Sequence, residues 1–168
     1  RPILARLCRQ TNETVNLGLP DLYDLVVIDS FRGSQILHAT ATAGWRAMYH
    51  CTALGKACMS QYDLSGRQTI YDTCGLPQQT INTITETDLL NTELDQFKEN
   101  GYAMDLEENE IGVNGVASAS WDGLGEICSA VSVSGPSHRL TQETMERISP
   151  MVVTAAHQIS RAMGDRES

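Results

Sequence analysis

Apolar positions switch between the two periods that distinguish helix from strand, and the switches divide the chain into short alternating segments. Residues 1–10 place Ile3, Leu4 and Leu7 on one side of a short helix. Residues 13–19 alternate as a strand that Pro20-Asp21 breaks. Residues 24–31 (DLVVIDSF) are β-rich, Arg32-Gly33 makes a turn, and 35–40 reads as a further strand. Residues 53–62 form a short helix despite Gly55. The stretch 63–84, rich in Thr and Gln and punctuated by Gly75 and Pro77, reads as loop with a little helix.

A clearer helix follows. Thr85 with Asp88 resembles a capping box, Leu90, Leu94 and Phe97 form an i, i+4, i+7 stripe, and Gly101 suits the residue just past the end. Strands are expected at 101–105, 112–120 and 126–134, the last two joined by Asp122-Gly123, with Gly135-Pro136 ending the third. The closing helix begins at Thr141 and carries Met145, Ile148, Val152, Ala155, Ile159 and Ala162 on one stripe. Pro150 should kink or split it, and Gly164 closes it. This order implies an α/β fold of the α+β kind, with helices packed on an antiparallel sheet.

The 168 residues suit one domain, 1–168, and the 41% hydrophobic fraction allows a real core. The longest apolar run, Leu25 to Ile28, is far below the ~20 residues of a membrane span, and no export signal opens the chain. Arg1 in place of Met suggests a fragment or processed product. The net charge of −9 argues against nucleic acid or an anionic membrane as a direct partner. Residues 86–110 carry nine acids against Lys98 alone, and Glu86, Glu93, Asp95 and Glu99 read mostly as a solvated helix face.

Five cysteines, odd in number and without a C-x-x-C pair, point to a reducing compartment and hence a cytoplasmic protein. The four histidines are scattered, so structural roles outweigh a zinc site, and no metal or cofactor is expected. There is no G-x-S-x-G, P-loop or dinucleotide-binding glycine pattern. His50 and Cys51 are adjacent. In a strand they would point to opposite faces, which disfavours a thiol–base pair.

A binding argument remains. Cys128, Ala130, Ser132 and Ser134 share one strand face, while Ile127, Val131 and Val133 share the other. Val113, Gly115, Ala117 and Ala119 form a second face of small residues, so either water meets these faces or a ligand fills the space they leave. In 44–56 (GWRAMYHCTALGK) a strand runs into a helix start, where the N–H groups around Thr52, Ala53 and Leu54 suit an anion.

Four segments in order carry a resemblance: GWRAMYHCTALGKA at 44–57, Thr80-Ile81, GYAMDLEENEIGVNGVASASWD at 101–122, and AVSVSGPSHRL at 130–140. Together they resemble the effector-binding domain of IclR-type transcriptional regulators. The resemblance implies a GAF-like fold, a curved antiparallel sheet with flanking helices and a ligand cup. It implies a non-enzymatic sensor of a small carboxylic or aromatic acid, self-associated as a dimer or tetramer. DNA would be bound only through an N-terminal winged helix-turn-helix domain absent from this chain.

By position it assigns ligand contact to Ala53, Leu54, Asp105, Val113, Gly115, Ser132 and Ser134, with Trp45 and Met48 as apolar walls or core. One departure is Gly115, where a close small-acid relative has a thiol-bearing residue. Glycine opens space there, which favours a larger or aromatic acid. The rival readings are a small carbonyl-directed enzyme using Asp105 with Cys51 or His50, and a ligand-free dimerisation module.

Overall fold

Strands rich in Val, Ala and Ser pair into one antiparallel six-stranded sheet in the computed structural model, which describes residues 1–39 and 41–164. The elements are α1 (Pro2–Thr11), β1 (Thr14–Pro20), β2 (Leu25–Phe31), β3 (Arg46–Ala47), α2 (Ala53–Met59), α3 (Leu64–Cys74), α4 (Thr87–Asn100), β4 (Ala103–Leu106), β5 (Val113–Trp121), β6 (Ile127–Pro136) and α5 (Gln142–Ala162). The sheet order is β3-β2-β1-β6-β5-β4. Helices α1 and α5 lie together on one face, and α2 packs across β5, β6 and β4 on the other, with α4 behind it. The α+β expectation therefore holds. The domain end at 168 lies outside the described residues.

Three elements depart from expectation. Residues 35–39 form no strand but a loop, tied to the sheet where Thr14 Oγ1 donates to Ala39 O; residue 40 lies outside the described residues. The stretch 63–84 contains a full helix, α3, which Asp63 starts by accepting from the Gly66 N–H at 2.8 Å. Its composition is polar because α3 buries only Arg67, Ile70 and Tyr71. Arg67 holds it down by donating to Met59 O and Ser60 O and pairing with Asp95 on α4.

The Thr85–Asp88 capping box does not form. The cap residue is Glu86, with no side-chain bond to the helix, and Asp88 sits in the first turn, where its charge favours the N-terminal dipole. Gly101 ends α4 at φ +78°, in the left-handed conformation expected of such a residue.

Helix α5 is one continuous run through Pro150. Proline removes the N–H that would bond to Glu146 O, and Ser149 Oγ donates to that carbonyl instead at 2.9 Å. The freed acceptor is thus satisfied one residue away, and the helix is not split. The β5–β6 connection turns on Asp122, whose carboxylate accepts from Leu124 and Glu126 N–H groups.

Candidate functional site

Adjacent strands place their small and polar residues in two rows across the α2-facing side of the sheet. The first row runs Thr14, Ser134, Gly115, Asp105 from β1 through β6 and β5 to β4. The second runs Ser30, Asn16, Ser132, Ala117, Ala103 from β2 to β4. Neither row carries a bulky side chain on β5, so α2 can approach the sheet. A Cβ added at Gly115 would stand 3.2 Å from Ala53 Cβ and 3.4 Å from Ser134 Oγ. The missing side chain at Gly115 is therefore taken up in part by the start of α2, not wholly by open space.

That start is fixed by its own chemistry. Thr52 accepts from the Gly55 N–H at 3.0 Å, and Gly55 lies so close to Met48 and Tyr49 that a Cβ would clash at 2.3 Å with Met48 O. Strand β3 covers only Arg46–Ala47, so residues 48–52 are a turn, not a strand leading directly into the helix.

Between sheet, α2, residues 37–39, Ala41 and Trp45 lies a cavity of about 260 Å³. It is lined by Ala53 and Leu54 at the start of α2, by Asp105, Val113, Gly115, Ser132 and Ser134 on the sheet, and by Trp45 at its mouth. Eight of the nine residues named from sequence thus converge. Met48 does not; it borders a separate hollow with Tyr23, His50 and Pro77, because the turn after β3 carries it past the cavity. Sequence reasoning missed Asn16 on β1 and the cover formed by Leu37, His38, Ala39 and Ala41. Alternation in 13–19 could have nominated Asn16 as a polar residue on a buried strand.

Two polar groups in the lining stand out. Ser132 is 1% exposed, and its Oγ has no hydrogen-bond partner among the described residues. A buried hydroxyl left without a partner costs roughly 1–3 kcal/mol. Asp105 Oδ1 accepts from the Glu108 and Asn109 N–H groups, which shapes the loop after β4. Burial is the main cause that pushes its carboxyl up from 3.8 to about 7, with the Glu108 charge adding and Lys56 opposing. Near neutrality Asp105 therefore exists partly as a neutral acid able to donate a hydrogen bond.

Behind Asp105 lies a charge cluster that the sequence did not disclose. Lys56 is completely buried on α2, bonds Glu108, and reaches Glu93 Oε2 on α4 at 3.3 Å. Its ammonium also sits 5.2 Å from the Phe97 ring centre. Burial drives Glu108 up, against the pull of Lys56. Glu93 and Asp95 thus serve as ion-pair partners rather than purely solvated residues.

The chain matches the family described as bacterial transcriptional regulator IclR C-terminal over residues 1–161. It is 32% identical over 163 residues to the HTH-type transcriptional repressor AllR of Escherichia coli K12, covering 97% of this chain and 60% of that protein. This chain belongs to the IclR family. Among solved structures, Thermotoga maritima IclR superposes with a TM-score of 0.92 at 32% identity, over 97% of this chain and 66% of that one. The C-terminal domain of the Escherichia coli regulator KdgR gives 0.85 at 31%, over 97% and 94%. The chain is an IclR effector-binding domain, and it spans about 60% of the length of the curated relative it matches.

The IclR relatives are transcriptional regulators. Burial, with Asp105 and Glu108 nearby, pushes the Cys51 thiol up to about 12, so it stays protonated. Both His50 and Cys51 lie in a turn, not in the strand expected from sequence. Burial lowers the His50 pKa, and its Nε2 lies 3.0 Å from Pro77 O, in the neighbouring hollow. All five cysteines are free thiols. Among the described residues no helix is long and apolar enough to cross a membrane, and no three potential ligands cluster for a metal.

Proposed function

We propose that this domain senses a small carboxylic or aromatic acid and belongs to a cytoplasmic regulator whose DNA-binding half is an N-terminal winged helix-turn-helix domain outside this chain. The observation that carries the reading is the 260 Å³ cavity whose buried wall holds the unpaired Ser132 hydroxyl. A domain kept only for dimerisation would gain by filling or closing that space, since buried polar groups normally find partners. The acid group of the effector rests at the Asp105 end, where the neutral carboxyl and Ser134 can donate to it, beneath the backbone of Ala53 and Leu54. Val113 and Trp45 supply apolar contact, and Gly115 lets the effector lie close to the sheet.

The domain is not an enzyme, needs no cofactor, and self-associates as a dimer or tetramer. The effector acts by binding one conformation of the regulator better than the other, because equal affinity shifts nothing. A coupling of about 1–3 kcal/mol is the usual size for such control. A thermal-shift panel of aliphatic and aromatic acids tests the binding. An acid at ~100 times its dissociation constant should add about 2.7 kcal/mol of stability. No shift from a broad panel overturns the sensing reading, and turnover abolished by Asp105→Asn would favour an enzyme instead.

A further inference from the structure

The second polar row ends in a feature that an acid-binding cup does not require. Asn16 is 2% exposed on the central strand β1 and lines the cavity beside Ser132, its register partner on β6. Its side-chain oxygen accepts from Ser30 Oγ at 2.8 Å, which fixes the plane of the amide. Beside it, Ser132 Oγ is buried and has no partner among the described residues. An unpaired hydroxyl beside a carboxamide on the same cavity wall forms a hydrogen-bonding station.

We propose that Asn16, held by Ser30, is a specificity-determining residue that, together with Ser132, binds a hydroxyl or carbonyl oxygen at the far end of the effector. The effector class is then a bifunctional acid, polar at both ends and apolar between. This rests on the acid-sensing reading above and extends it.

Sheet geometry sets the length. The acid station, Ser134 on β6 and Asp105 on β4, lies one to three strand spacings across and two residue steps along from Asn16, about 8–16 Å between Cα atoms. Leu37 and Trp45 also line the cavity and suit a methylene chain or a ring. Asn16 and Ser132 carry no charge, so their station suits a neutral oxygen.

Calorimetric titration of this chain with two matched pairs tests the idea: valerate against 5-hydroxyvalerate, and phenylacetate against 4-hydroxyphenylacetate. At least one hydroxylated member should bind roughly 10-fold tighter than its plain counterpart, the worth of one good hydrogen bond to an otherwise unpaired buried group. Asn16→Leu should bring that ratio close to one. Ser30→Ala, a milder change, should lower the ratio by releasing the amide, and it serves where Asn16→Leu does not fold. Equal affinity within both pairs, or a ratio untouched by these variants, overturns the proposal while leaving acid sensing intact. Binding of none of the four acids overturns both.

Discussion

Val131 and Val133 alternate along β6 with Ser132 and Ser134, and the two sets meet different surroundings. The valines, with Val116 on β5, belong to the apolar core shared with Met145, Ile148 and Val152 of α5, and all three are completely buried. The serines face α2 and the cavity. One strand thus supplies both a closely packed wall and an open one, separated by a single residue step. Packing explains the difference in tolerance: the α5 face is filled by buried apolar side chains, whereas the α2 face keeps space that its short side chains and glycine leave. The first face provides stability, and the second holds the groups available for recognition.

The largest departure from that division is Lys56, a charge buried on the cavity side. Removing one partner of a buried ion pair typically costs about 3–5 kcal/mol, because the other charge is left stranded. Lys56→Met should therefore destabilise by roughly that amount in urea denaturation. Lys56→Met with Glu108→Leu should recover most of the loss, since a matched apolar pair strands nothing. A single variant as stable as the parent would show that the cluster contributes little. At the next level, Val133→Ala should cost about 2 kcal/mol through lost burial and a void. The neighbouring Ser132→Ala should change stability by less than about 1 kcal/mol, because it deletes a hydroxyl that is already unpaired. Equal losses from the two would erase the distinction between the faces.

Sequence alone disclosed those faces because strand alternation maps directly onto sheet sides. Alternation put Ser132 and Ser134 on one face, and the family resemblance added Asp105; register brings the three together. What the sequence could not disclose depends on contacts between distant segments. Asn16 acquires meaning only beside Ser132, more than a hundred residues away in the chain. Lys56 looks like one more surface charge until α2, α4 and the loop after β4 enclose it. Helix α3 escaped notice because it docks through Arg67 and carries no apolar stripe. Met48 failed for a local reason: two residues of β3 followed by a turn send it to another hollow. Proline at 150 does not split the helix because the rescue of Glu146 O by Ser149 is a side-chain event, invisible to propensity.

A pH-dependent effect concerns Asp105, which stands where the two kinds of environment meet, between the open cavity and the Lys56 cluster. In the unfolded chain its carboxyl ionises near 3.8 and in the folded chain near 7, chiefly because it is buried. Between those values the folded protein holds a proton that the unfolded chain has lost. Stability from this group is complete below 3.8 and is lost as pH rises through about 7. Glu108 is raised as well and acts with the same sign, so the parent slope alone does not isolate Asp105. Asp105→Asn does, since its side-chain oxygen can still accept from the Glu108 and Asn109 N–H groups while no proton is exchanged. Urea midpoints measured from pH 4 to 8 should show the parent losing, relative to the variant, up to about 1 kcal/mol per pH unit near pH 6. Above pH 8 the variant should be the more stable of the two. Acid binding to the parent should weaken over the same range, as the neutral donor becomes a carboxylate facing another carboxylate. Parallel profiles for parent and variant would mean that Asp105 is ionised throughout and shapes its loop without sensing the proton.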